Sequence, residues 1–409
     1  MLSRFAANYI VGRANPLLEM AFNVSARMSK VSYEIRDIVG RARKVEATGK
    51  KIHWFNIGDP NQFGFKPPAW ITDAVQEALS DSKFTGYCPS EGDPELRAAV
   101  ARIEGVAPDF VTIHSGLSEG IDFLMQALVD PGDNVLLPSP SYSLYNTMLA
   151  VCGGTENYYS LDGQFNPDVD DLRRKINSRT KAIVLINPNN PTGAVYPESV
   201  LRKISDIASE FQIPIISDEI YSMTCIDGDR AISMRDICKD VPLIVGNGVS
   251  KNFIYTGARV GYLAFHNSGS ELLRDACVKL CNARLSVNWE MQRGALAAFT
   301  HPPDHIPAYL SELRKRRDVI FKGLNSIEGI SCAKPKAALY SFPKVETDKF
   351  KNDKEFVYSL LEETGVLVVP GSGFSPVLAD KHFRLVFLAP AQELEEAMGK
   401  IEDFARKRL

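Results

Sequence analysis

The chain has 409 residues, 45% hydrophobic and 24% charged, with a formal net charge of -3 and a pI near 6.1. That balance gives no reason to expect nucleic acid or anionic membrane as a partner, and no apolar run approaches the roughly 20 residues of a membrane span. The length exceeds one ordinary core, so a large domain and a smaller one are expected.

Residues 1–27 carry Arg4, Arg13 and Arg27 against the single acid Glu19, with apolar residues between. Such a segment suits a transit peptide or an amphipathic interfacial helix. A start codon placed too early, with Met28 as the working start, is the plainer expectation, and 1–32 is set apart as an extension. From about 68 to 265, short β-branched runs alternate with helical patterns, as in a mostly parallel sheet with crossover helices. Strands are expected at 110–113, 134–137, 182–186, 213–217, 242–245 and 260–265, and helices at 118–129, 197–211 and 271–284. The helix from Pro197 has a proline in its first turn and acidic Glu198 beside it. Beyond about 305 come a basic helix near 309–324, a run at 338–342, a helix at 353–363, and strands at 366–369 and 382–387. The expected fold class is α/β: a large domain over 68–305 with helices flanking its central sheet, and a smaller α+β domain from 33–67 plus 306–409.

Seven cysteines lie at positions 88, 152, 225, 238, 277, 281 and 332, with no Cys-x-x-Cys pair. An odd, scattered set favours neither a disulfide framework nor a zinc site. Cys277 and Cys281 read as an ordinary pair on one helix face. The six histidines form no His-Glu-x-x-His motif, so no metal is expected, and a reducing, cytoplasmic compartment fits best.

Four motifs stand in order between 187 and 261: Asn187-Pro188-Asn189-Asn190-Pro191-Thr192-Gly193, Ser217-Asp218-Glu219-Ile220-Tyr221, Ser250-Lys251, and Gly257-Ala258-Arg259-Val260-Gly261. Each alone has a plain structural meaning. Asp218 could cap a turn, the prolines make a non-helical loop, and one lysine is an ordinary surface charge. Yet Asn190, Asp218 and Lys251 each follow an expected strand, and strand carboxyl ends border the ligand crevice of an open parallel sheet. An amine, a carboxylate, an amide, a phenol and a guanidinium are what pyridoxal 5'-phosphate (PLP) needs from a protein. The amine forms a Schiff base and the carboxylate faces the pyridinium nitrogen. Amide and phenol reach the ring hydroxyl, and the guanidinium grips the phosphate.

The ordered set resembles the signature of the class I aminotransferases, the aspartate aminotransferase family of PLP enzymes, over about residues 33–405. The resemblance implies fold type I, with Lys251, Asp218 and Tyr221 as catalytic residues. Gly116, Leu117, Ser118, Ser250 and Arg259 would hold the phosphate, Tyr142 would stack on the pyridine ring, and Asn190 and Tyr221 would meet its hydroxyl. Gly58, Asn190 and Arg384 would bind the substrate. An arginine inside an apolar strand such as that of Arg384 is itself costly unless an anion pairs with it. Tyr87 is similar to a tyrosine that reaches the neighbouring subunit's phosphate, which implies a homodimer. The chain departs from the family three residues before the lysine, where Gly248 replaces a frequent serine. The stretches 33–37 and 56–60 look like those of alanine- and aspartate-type enzymes, so an α-amino acid of that type and a 2-oxo acid such as 2-oxoglutarate are the expected substrates. Arg284 lies near where aspartate-specific enzymes place an arginine for the distal carboxylate. A Cβ–S lyase of the same fold uses the same Lys, Asp and Arg and stays open. A regulator built on an aminotransferase-like domain would need roughly 60 further residues of DNA-binding domain, and about 30 precede the match.

Overall fold

Seven runs rich in Val, Ile and Leu pair into one central sheet: β1 (Val111–Ser115), β2 (Asn134–Ser139), β3 (Thr155–Ser160), β4 (Thr180–Ile186), β5 (Ile215–Asp218), β6 (Leu243–Gly248) and β7 (Val260–His266). Their spatial order is β1-β7-β6-β5-β4-β2-β3. β7 runs antiparallel to both neighbours, and the remaining pairs are parallel. The computed structural model describes residues 24–31, 34–228, 230–375, 379 and 381–409. Most of the expected extension, with Arg4, Arg13 and Glu19, and also Tyr33, lies outside these residues.

Central strands read as continuous apolar runs because helices cover both faces. Ala182, Ile183, Val184 and Leu185 of β4 are all fully buried. The helix Glu198–Phe211 lays Leu201, Ile204, Ile207 and Ala208 on one sheet face, and each large aliphatic buried this way contributes roughly 1.5–3 kcal/mol. Leu117–Leu128 covers the other face through Ile121, Leu124 and Met125. β3 was not expected from the sequence. It is an edge strand of mostly polar residues in which only Tyr159 is buried, so it lacks the apolar signal of a central strand. The strand expected from 110 starts at Val111, because Pro108–Phe110 closes a 3-10 turn first.

Outside the central sheet, short strands and three longer helices gather around a second apolar core. Among the strands, Tyr340–Ser341 and Val369–Pro370 flank Phe383–Val386, and Lys344–Val345 pairs with Ile330–Ser331. N-terminal His53–Trp54 pairs in parallel with Val366–Leu367, which ties residues before the large sheet to those after it. The helices Ile306–Asn325, Asp353–Thr364 and Ala391–Arg408 pack over these strands. Among the described residues no helix is long and apolar enough to cross a membrane.

One close approach sets the floor of the later site. Leu117, the first residue of its helix, is seated against glycines of β6 and β7. A Cβ on Gly261 would lie 2.3 Å from the Leu117 backbone nitrogen, and one on Gly246 would lie 2.6 Å from a Leu117 methyl. Backbone cannot yield as a side chain can, so Gly261→Ala is expected to displace the helix start and cost about 1–3 kcal/mol. A melting temperature equal to that of the wild type would contradict this.

Candidate active site

The carboxyl ends of β4, β5 and β6 open on a cavity of about 510 Å³. Gly58, Leu117, Ser118, Tyr142, Asn190, Asp218, Tyr221, Ser250, Lys251, Arg259 and Arg384 all line it, brought together from segments far apart in sequence. Gly116 lies just beneath the wall, against Arg259. Two residues singled out in the sequence are elsewhere. Tyr87 is 80% exposed and off the cavity of its own chain. Arg284 is engaged with Glu119 at 3.3 Å and with the Ile113 carbonyl at 3.0 Å, and it does not reach the cavity.

Lys251 sits in the one-turn helix Val249–Asn252 directly after β6. Its Nζ donates to the Gly58 carbonyl at 2.6 Å. Burial pushes the ammonium down to about 8, with Arg384 and Arg259 acting in the same sense and Asp59 against it. A neutral, nucleophilic amine is therefore available near physiological pH.

Strand alternation separates the two neighbouring acids at the carboxyl end of β5, Asp218 and Glu219. Asp218 faces the cavity, while Glu219 turns the other way and accepts from Ser217 Oγ, Ser233 Oγ and the Met234 amide. Burial raises the Asp218 carboxyl to about 6, although the Ile220 amide and the Tyr145 hydroxyl (3.3 Å) support its charge. Burial also raises Glu219, to about 7, with Glu104 adding repulsion.

Arg384 is 2% exposed. Nη1 donates to Asn190 Oδ1 at 3.1 Å and Nη2 to the Asn56 carbonyl at 2.6 Å, while the guanidinium lies between the rings of Tyr340 and Phe374. Its Nε is buried without a hydrogen-bond partner. Tyr221 Oη is 2.7 Å from Tyr340 Oη.

On the opposite wall, Ser118 and the first turn of Leu117–Leu128 present the positive end of a helix. Arg259, in the left-handed region at φ 51°, folds back over Gly116 and donates to the Thr256 carbonyl at 3.1 Å. A Cβ on Gly116 would lie 2.3 Å from Arg259 Nη2, so only glycine leaves room for this cradle. The serine missing at position 248 has a physical reason. A Cβ there would meet the Val260 carbonyl at 2.7 Å, so the close pairing of β6 and β7 leaves space for glycine alone. Ser250 keeps a hydroxyl on the cavity.

Motif reading passed over Tyr145, Tyr340, Asp59, Thr256 and Arg36. Tyr145 and Tyr340 are buried aromatics in apolar runs, which read as core. Asp59 stood inside a quoted motif without a role, yet it accepts from Thr256 Oγ1 at 2.7 Å and so ties the Gly58 loop to the Arg259 loop. Charged residues on the cavity wall are Arg36, Lys251, Arg259 and Arg384 against Asp59 and Asp218. That excess of cations suits an anionic ligand with two acidic ends, one at Arg259 and one at Arg384. Among the described residues no three His, Cys, Asp or Glu side chains gather as metal ligands.

Comparison with known proteins agrees with this geometry. Residues 50–401 match the family model for aminotransferase class I and II. The alanine aminotransferase of Mycobacterium tuberculosis is 36% identical over 94% of this chain and 93% of its own length. A glutamate-pyruvate aminotransferase of Escherichia coli is 33% identical over 93% and 97%. The solved structure of an alanine aminotransferase from Pyrococcus furiosus superposes with a TM-score of 0.91 at 43% identity, covering 94% of this chain and all of that one. The chain thus belongs to the class I and II aminotransferases and is a PLP-type aminotransferase of fold type I.

The lowered Lys251 pKa is open to a direct check. Amines react in the neutral form, so labelling of Lys251 by trinitrobenzenesulfonate in the cofactor-free protein should rise with a midpoint near 8. A midpoint equal to that of the surface lysines, near 10.4, would contradict the desolvated site.

Proposed function

We propose that the protein moves an amino group between alanine and 2-oxoglutarate, giving pyruvate and glutamate, with PLP as cofactor. The observation that carries this is the joint presence, on one cavity, of a buried amine (Lys251) and a buried guanidinium (Arg384) with an unpaired Nε. The substrate choice is supported by relatives named as alanine and glutamate-pyruvate aminotransferases. Those same names give no support to the Cβ–S lyase alternative. Arg284, already paired with Glu119, is not proposed as a distal-carboxylate ligand.

The residues present fit the cofactor. The Gly116 cradle with Arg259, Ser118 and Ser250 suits a phosphate, Tyr142 offers a ring face, and Asp218 offers a carboxylate to the pyridine nitrogen. Bound PLP supplies an aldehyde carbon that receives the amino group and a cationic ring that accepts electron density from the substrate Cα. Asp218 keeps the ring nitrogen protonated through its own negative charge. Asn190 and Tyr221 direct hydrogen bonds to the ring hydroxyl. Arg384 would hold the substrate α-carboxylate in a two-point grip, with Gly58 on the same cavity wall. Lys251 Nζ, on the same cavity wall, would be the base that takes the substrate Cα proton and holds it for return. Exclusion of water by the buried walls keeps both charges strong.

The same proposal extends to assembly and place. Tyr87, exposed on its own chain, would complete the phosphate site of a second copy in a homodimer. Domain limits at 68–305 and 33–67 plus 306–409 would put Arg384 and Gly58 on one domain and Lys251 on the other. Among the described residues the seven cysteines form no disulfide, which is compatible with a reducing cytoplasm.

Alanine with 2-oxoglutarate is expected to give the highest turnover in a panel of amino donors. Asp218→Ala should cut the rate of each half-reaction by about 10²–10⁴ while leaving the phosphate grip in place. Half-reaction rates within about threefold of wild type would remove Asp218 from the proposed role.

A further inference from the structure

Tyr340 stands where the Arg384 guanidinium, the Gly58 loop and the Tyr221 phenol meet. Its hydroxyl is 2.7 Å from that of Tyr221, and the two rings cross at 80° with centroids 5.8 Å apart. Arg384 lies over the Tyr340 ring at 4.5 Å. The ring is 3% exposed. A Cβ on Gly58 would lie 2.3 Å from the Tyr340 hydroxyl oxygen, so the glycine is what admits this phenol to the cavity wall.

Two hydroxyls at 2.7 Å share one hydrogen between them. Whichever phenol donates it leaves the other free to aim its own hydrogen elsewhere. A cation over a phenol ring draws electron density from it and strengthens its O–H as a donor. Either hydroxyl could donate on geometry alone, and Arg384 sitting on the Tyr340 ring favours Tyr340 as the donor and Tyr221 as the acceptor. The Tyr221 hydrogen is then left to point into the cavity. Hydrogen bonds in such a chain reinforce one another, so accepting from Tyr340 makes Tyr221 a stronger donor in turn.

Resting on the PLP-binding function proposed above, we propose that Tyr340 is a positioning residue. Through its hydrogen bond it holds the Tyr221 hydroxyl as a donor toward the ring oxygen of the bound cofactor. Tyr340 acts on the cofactor through Tyr221.

The test is a spectroscopic titration of the holoenzyme, following the pH-dependent absorbance of the lysine-bound cofactor. Tyr221 supports negative charge on the ring oxygen, so weakening it favours the protonated form. Tyr340→Phe should therefore move the midpoint upward by roughly half a pH unit. In a Tyr221→Phe background the same change should have little further effect. An unmoved or lowered midpoint in Tyr340→Phe would overturn the inference, as would an equal upward shift in both backgrounds. Tyr340→3-fluorotyrosine keeps the ring and hydroxyl but sharpens the donor. It should lower the midpoint, and a null or upward shift there would also overturn the inference. A wild-type protein with no cofactor band at all would sink the PLP assignment, and this inference with it.

Discussion

A guanidinium buried without a carboxylate beside it is the constraint on which the site depends. Arg384 is 2% exposed, and its hydrogen-bond partners are an amide oxygen and a backbone carbonyl, not a carboxylate. The desolvation penalty of such a charge is several kcal/mol, and this fold offsets only part of it. Asn190 and the Asn56 carbonyl accept two of its hydrogen bonds, and the faces of Tyr340 and Phe374 sandwich its plane. The unpaired Nε shows that the compensation is incomplete. In the proposed function a substrate carboxylate would complete it, at the place where the substrate must be oriented.

The same reasoning extends to the amine. Arg384 and Arg259 both repel a charged Lys251, and burial adds to their effect. Asp59 opposes them while tying two loops together through Thr256. Lysine reactivity, the substrate clamp and the phosphate cradle are thus not independent features. Arg384 and Arg259 each lower the cost of keeping Lys251 neutral, and in the proposed function each would meet one end of the anionic ligand.

The chemistry-bearing part of this arrangement was legible in the sequence because it lies at or just after the carboxyl ends of strands. Asn190, Asp218 and Lys251 each have a plain structural meaning alone, but strand carboxyl ends border one crevice, so their ordered set points to a shared site. The supporting residues were not legible for the opposite reason. Tyr340 and Tyr145 sit in apolar surroundings where a tyrosine is ordinarily core, and only their hydroxyl partners distinguish them. The polar residues of edge strand β3 carry no apolar period, and the reason for glycine at 248, a Cβ there meeting the Val260 carbonyl at 2.7 Å, lies in strand pairing. Long-range proximity, such as Arg284 turning to Glu119 instead of the cavity, is a tertiary property that no local pattern encodes.

The central claim is that Lys251 is the amine that carries the cofactor. Reduction of the PLP-loaded protein with sodium borohydride, followed by peptide mapping, tests it most directly. The account predicts loss of the yellow absorbance and a pyridoxyl group found on Lys251 alone. A pyridoxyl group on any other lysine, or full reduction with Lys251 unmodified, would contradict it.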